Sequence, residues 1–341
     1  MVQCPVRVLF RKATLAAAAF PVMLALTLSL VLAPPSLEVD GKSGYIKWVD
    51  FNIPEKVLAR ALEYDLASYE TDTHVDWIDI LSYLGAKYGG VFSRYKNSDM
   101  DSFVEKLKAG QSAESLAAGM KLFSYYRKAY GAVLGGFVGL YRMERVDESG
   151  QKRWEAHYGL KAFLPIAKGF GFSHYDDFGD GRSYGFRRKH LGNDLLGGIG
   201  TPVVAVETGV VEAVGWNRYG GWRIGIRSMD RQRYYYYAHL RKDRPFAEGL
   251  EQGQIVQAGD VIGYLGMTGY SYKENVNNIK TPHLHFGLQL IFDESQKDGV
   301  NQIWVDVYSI VELLKRNRSV VERIPDKREY RRVYGFEDLT E

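Results

Sequence analysis

Hydrophobic and polar positions fall into three textures along the chain. From Ala13 to Ala33 the chain is an uncharged run, preceded by Arg7, Arg11 and Lys12. At 1.5 Å per residue the run is about 31 Å long, enough to cross a bilayer with its basic flank inside. Apolar residues then recur at helical spacing. Asn52-Ile53-Pro54-Glu55 predicts a helix start, with a capping residue, a proline in the first turn and an acid three residues after the cap; Val57, Leu58, Ala61 and Leu62 follow. A second helix carries Trp77, Ile80, Leu81 and Leu84 and ends at Gly89-Gly90, and a third opens at Ser98 with Phe103, Val104 and Leu107 as its stripe. A fourth opens at Ser112 and continues through Leu116, Met120 and Phe123 towards Tyr130-Gly131. Beyond Gly150 the period changes. Short runs such as Val203 to Val206, Gly209 to Val211, Arg223 to Ile226 and Asp260 to Leu265 alternate with glycines, which predicts a compact antiparallel β domain. A last strand is expected from His283 to Leu290, a helix from Val305 to Leu314, and a solvated, highly charged tail from Arg316 onward.

The pattern predicts an α+β multidomain chain. Residues 1–35 form an N-terminal transmembrane helix or signal sequence, 36–150 a small all-α accessory domain, 151–310 a β-rich domain, and 311–341 a charged C-terminal extension. Val31-Leu32-Ala33 offers a signal peptidase small residues, but Pro34 just after the scissile bond fits poorly. An uncleaved single-pass anchor in the cell membrane, with the rest of the chain outside, is the expectation; cleavage would make the protein secreted.

Composition narrows the partners. The 44 basic residues are balanced by 41 acidic ones, and a net charge of +3 gives no argument for nucleic acid. The only cysteine, Cys4, precedes the apolar run. The exported part therefore folds without disulfides, and any metal it binds is held by His, Asp or Glu.

Four of the seven histidines, with one aspartate, make up a candidate constellation in the β-rich part: His190 and Asp194, His239, and the pair His283 and His285. On a strand, His283 and His285 face the same way about 6.5 to 7 Å apart, a spacing that suits one metal ligand beside one acid/base group. Zinc catalysis generally uses three protein ligands and leaves a fourth position open, so His190, Asp194 and either His283 or His285 would serve. The remaining two histidines can then handle protons, and the set is complete for hydrolysis of an amide. Each motif has a plainer explanation taken alone: an exposed loop pair, a structural zinc site, or a histidine inside the aromatic cluster of Tyr234 to Tyr237. Together these explanations need three independent accidents in one domain. That tyrosine run has two faces on a strand, one for the core and one for a groove. His74, His157 and His174 read as structural or surface residues.

Several blocks in order resemble the lysostaphin/LytM family of zinc metalloendopeptidases. They are His190-Leu191-Gly192-Asn193-Asp194, Gly200-Thr201-Pro202-Val203, Tyr237-Ala238-His239-Leu240, Gly259-Asp260-Val261-Ile262-Gly263, Gly266-Met267-Thr268-Gly269 and Pro282-His283-Leu284-His285-Phe286. The resemblance covers about residues 170 to 290. It implies a duplicated-hybrid-motif β domain with a narrow groove, acting on the peptide part of peptidoglycan. By position it makes His190, Asp194 and His285 the ligands of one Zn2+ per chain, and His239 and His283 catalytic. Three departures stand out: Asn193 in place of an aliphatic residue, Gly287 where an acid often follows, and about ten extra residues from Tyr272 to Thr281. The stretch from Trp77 to Gly90 resembles the helix bearing the catalytic glutamate of lysozyme-like glycosidases. Lys87 and Tyr88 stand near where that acid would be, so a spacer, substrate-docking or envelope-partner module is the expectation for the helices. The rival to the enzyme is a catalytically silent adaptor or activator of an envelope or sporulation complex, expected to lack ligands that this chain keeps. A D-alanyl-D-alanine-type zinc peptidase would need a longer gap between the first His and Asp.

Overall fold

In the computed structural model the described residues are Ile46, 49–183, 187–297 and 301–339. The expected anchor lies outside them; among them no helix is long and apolar enough to cross a membrane.

The first helix, α1 (Glu55–Ser68), begins later than its capping pattern suggests. Asn52 spends its side chain on Asp50, and Pro54 occupies the cap position without a side-chain bond. α2 (Trp77–Tyr88) starts where Asp76 Oδ1 accepts from Ile78 N at 2.6 Å and stops where Gly89 turns left-handed at φ 61°. α3 (Asn97–Lys108) buries Met100, Phe103, Val104 and Leu107. The expected fourth helix is two: α4 (Ala113–Leu116) and α5 (Phe123–Leu134). Gly119, at φ 85°, interrupts the helical path between them.

The strands β1 (Val138–Val146) and β2 (Lys152–Leu160) form an antiparallel hairpin from Val138↔Leu160 to Val146↔Lys152. Short strands follow: β3 (Phe172–His174), β4 (Gly181–Ser183), β5 (Arg187–Lys189), β6 (Asn193–Gly197) and β7 (Pro202–Val204). Longer ones, β8 (Gly209–Asn217), β9 (Gly221–Ser228) and β10 (Arg233–Ala238), make a meander. After β11 (Ile255–Val256) and β12 (Val261–Tyr264) comes β13 (His283–Leu290), then β14 (Ile303–Val305) and α6 (Tyr308–Leu314). The chain ends in β15 (Val321–Arg323), β16 (Tyr330–Arg332) and β17 (Phe336–Asp338). The main sheet runs β11-β8-β9-β10-β13-β6-β3, with β14 also on β13. The strand carrying the paired histidines, β13, is thus interior to the sheet, flanked by β10 on one side and by β6 and β14 on the other.

The expected domain boundaries are corrected by this packing. Residue 150 falls in the β1–β2 hairpin turn, and residue 310 falls inside α6. One continuous core joins Trp77, Phe103 and Tyr130 of the helices to Tyr235, Phe286 and Leu313. Nor is the end of the chain a solvated extension, since β17 pairs with β1 and Phe336 is buried against Phe163. Apolar residues spaced among charges gave that segment no periodicity to read, and its partner lies about two hundred residues away in sequence.

A buried ion pair ties the helices to the sheet. Arg233 on β10 donates to Glu207 through Nε at 2.9 Å and Nη2 at 3.0 Å, and from Nη1 to the Ala132 carbonyl on α5 at 2.9 Å. Tyr235 adds its hydroxyl to Glu207 at 2.6 Å, and a Cβ on Gly136 would overlap that carboxylate. Glu207→Ala leaves the buried Arg233 guanidinium with Asp230, at 2.7 Å from Nη2, as its remaining acid and strands its Nε, for which we expect a loss of about 2–3 kcal/mol in urea unfolding. A loss below about 1 kcal/mol would show that this pair is not what couples the two parts.

Candidate metal centre

Strand alternation and register bring the site together. β6 runs antiparallel to β13 with Asp194 directly opposite His285, so their side chains share one face. His190 precedes β6, where Gly192 permits the approach: a Cβ there would stand 2.9 Å from the His285 ring and 2.6 Å from the Phe286 carbonyl.

His190 Nε2 lies 2.8 Å from His285 Nδ1 and 3.1 Å from Asp194 Oδ1, and His285 Nδ1 lies 3.2 Å from the same oxygen. A tetrahedral ion with bonds near 2.0–2.1 Å would set its ligand atoms about 3.3 Å apart, close to this triangle. Two imidazole nitrogens and a carboxylate oxygen are also a donor set that zinc accepts. Of the two histidines on β13, His285 is the one in the triangle; His283 Nε2 stands 3.6 Å from Asp194 Oδ1.

The surroundings fix the rings. His190 donates from Nδ1 to the Asp177 carbonyl at 3.0 Å, with Asp177 Oδ2 at 3.2 Å, leaving Nε2 to the triangle. Burial opposes charge on His190, but Asp177 and Asp194 outweigh it and hold the imidazolium up to about 9. Burial would raise the Asp194 carboxyl, yet hydrogen bonds from His190 and His285 hold it well below the usual range. His285 is pushed down by burial, against the pull of Asp194. A metal held by His190 would require its Nε2 to be deprotonated.

His239 and His283 face the same space. His239 sits at φ 62°, just past the end of β10, and donates from Nδ1 to the Thr268 carbonyl at 2.9 Å. Its ring is 4.8 Å from that of His283 and 5.9 Å from that of His285. Burial, with His283 and His285 adding to it, drives its pKa well below the ordinary value, so His239 is neutral. His283 donates from Nδ1 to the Thr281 carbonyl at 2.8 Å. Both rings thus keep Nε2 as their remaining acceptor. The other histidines lie elsewhere: His74 on Asp65, His157 near Glu155, and His174 stacked on Tyr308.

These groups line a cleft of about 600 Å³. Tyr234 and Tyr236 face it while Tyr235 and Tyr237 are in the core, the two-faced split expected of the tyrosine run. Its walls include Tyr219, Tyr270 and Trp304, and Asn217 donates to the Tyr236 hydroxyl at 3.2 Å. The three departures have local reasons. Asn193 is fully buried and holds the site's outer support, donating to the Asp177 carboxylate at 3.3 Å and accepting from Val307 N at 3.2 Å. Gly287 makes room for Trp304, which a Cβ would meet at 2.8 Å. The extra segment is pinned by Asn275, which accepts from Trp222 Nε1 at 2.9 Å and pairs with Asp243. Sequence reasoning missed Asp177, Arg188 and Arg223 as site residues. Only the acidic Asp176-Asp177 pair leading into His190 carried a local signal.

Residues 188–300 match the model of Peptidase family M23. The chain carries a lysostaphin/LytM-type domain of that family. Over 178 residues the chain is 39% identical to the L-Ala–D-Glu endopeptidase of Bacillus subtilis, covering 49% of this chain and 52% of that protein. Over 98 residues it is 39% identical to lysostaphin of Staphylococcus staphylolyticus, covering 28% of this chain and 18% of that one. The chain thus spans about half or less of the length of these relatives. A solved LytM protein of Ruminococcus gnavus shares the fold beyond the M23 domain, with a TM-score of 0.53 and 24% identity over 79% of this chain and 93% of that one.

Proposed function

We propose that the protein is a zinc-dependent endopeptidase that hydrolyses peptide bonds in peptidoglycan stem peptides or cross-bridges. The observation that carries this reading is the convergence of His190 Nε2, Asp194 Oδ1 and His285 Nδ1 opposite His239 and His283 in one cleft. Membership of a family of peptidoglycan endopeptidases supports the substrate class.

His190, Asp194 and His285 would hold the ion. When bound, zinc supplies Lewis acidity that activates water near neutral pH and polarises a carbonyl. One of His239 and His283 accepts a proton from the attacking water, and the other stabilises the developing oxyanion or protonates the leaving amine. Neutral His239 suits the accepting role at pH 7. The Thr268 and Thr281 carbonyls fix both rings in the tautomer this requires.

The proposal includes the anchor at residues 1–35 and a place at the outer face of the cell membrane, which fractionation of tagged protein would test. A separate partner-binding module has less basis, because the helices share the core of the β sheet. The central test is metal content together with release of new amino groups from purified peptidoglycan. About one zinc per chain and cleavage abolished by a chelator are expected. A folded protein with neither would put the silent adaptor in place of the enzyme.

A further inference from the structure

Five cationic side chains besides histidine line the cleft: Arg182, Arg188, Lys189, Arg223 and Lys297. Two are answered by acids, Arg182 by Asp177 at 2.7 Å and Lys297 by Glu212 at 2.6 Å. Among the described residues no carboxylate pairs with Arg188, Lys189 or Arg223, and the single lining carboxylate is Asp194, turned to the metal centre. This end of the cleft therefore carries uncompensated positive charge.

Arg188 is held by its neighbours. Arg188 lies over the rings of Tyr219 at 5.5 Å and Tyr270 at 5.1 Å and donates from Nη2 to the Tyr270 hydroxyl, while its Nη1 is enclosed without a protein acceptor. Arg223 likewise has Nε enclosed and without a protein acceptor. Both arginines line the cleft together with Tyr236. Enclosed guanidinium N–H groups lacking an acceptor are uncommon, and a ligand oxygen is one explanation for them.

Register gives the distance to the chemistry. Asp194 is opposite His285, and His285 is opposite Ala238; because Tyr237 pairs with Ile224, the next position in that row is Arg223. Two strand spacings put the Arg223 backbone about 10 Å from that of His285, with only a methyl group between them. An arginine reaches several ångströms, and an extended peptide advances about 3.4 Å per residue.

We propose that Arg223 and Arg188 form a carboxylate-binding subsite, so that the enzyme selects peptides bearing a free carboxylate one or two residues from the bond it cuts. This rests on the endopeptidase reading and adds to it the chemistry of the substrate. A neutral oligoglycine bridge offers no such group.

The test uses the zinc-loaded full chain and two matched wall stem peptides, identical except that the acidic residue carries a free carboxylate or its amide. We expect kcat/KM to favour the carboxylate form by about 10- to 100-fold, the range of a charge-assisted hydrogen bond. In Arg223→Gln that ratio falls to about 1, mainly through KM, with zinc content unchanged, and Arg223→Lys recovers part of it. Arg188→Gln, on the short β5 hairpin, gives a second reading should Arg223→Gln fail to fold. Equal cleavage of the two forms by the unaltered protein, or a ratio unchanged in both glutamine variants, overturns the subsite while leaving the endopeptidase standing. Cleavage of neither peptide nor whole wall sinks the endopeptidase and the subsite with it.

Discussion

The double variant His190→Ala, Asp194→Ala is expected to lose both the metal and the reaction. Bound zinc falls from about one per chain to below about 0.1, and release of amino groups from peptidoglycan falls by about a thousandfold or more. The reason is local. The variant removes two corners of a triangle whose sides are 2.8, 3.1 and 3.2 Å, and His285 Nδ1 alone cannot hold an ion against water. It also removes Asp194 from the register position facing His285, where its Oδ1 lies 3.2 Å from the ring's Nδ1. Elemental analysis after dialysis and an amino-group assay check the two losses together. Zinc kept at about one per chain would mean that the ion sits elsewhere, and the assignment of these residues would fall.

What was legible beforehand was local in sequence. The period-2 alternation of His283-Leu284-His285 put both rings on one face, and the tyrosine run divided between core and cleft in the same way. Gly89 stopped α2 where a left-handed residue was called for. The choice between His283 and His285 was not local. It depends on which of them β6 places opposite Asp194, a pairing between residues 91 apart. Resemblance to a family supplied that choice ahead of any geometry.

The misses share one cause. Asp177 supports His190 from a loop thirteen residues upstream, and nothing in the spacing of Asp176-Asp177 separates a supporting carboxylate from a solvated one. Arg223 reads in sequence as the polar position of an alternating strand, and only the order β9-β10-β13-β6 aligns it with the metal centre. The domain boundary at 150 failed because the change from helical to strand period was taken as a break in packing. In the folded chain that change happens inside a single core, where Arg233 of the sheet bonds the last turn of α5.

His239→Ala should divide binding from chemistry. Its ring lies within 6 Å of the centres of the His283 and His285 rings yet outside the ligand triangle, so zinc should stay at about one per chain. The rate should fall by about 10²- to 10⁴-fold, chiefly in kcat, because a positioned general base or oxyanion partner acts in the transition state more than on bound substrate. Stability should change little in comparison. His239 is buried, but it occupies a left-handed backbone position that costs about 1–3 kcal/mol for most residues, and alanine keeps that strain without relieving or adding much to it. His283→Ala should likewise keep the metal, and the two single losses should not add, since attack and proton delivery belong to one step sequence. Retained zinc with an undiminished rate in either variant would remove that histidine from the reaction. Loss of zinc in His283→Ala would instead make His283 a ligand, and the division of roles between the two histidines of β13 would have to be reversed.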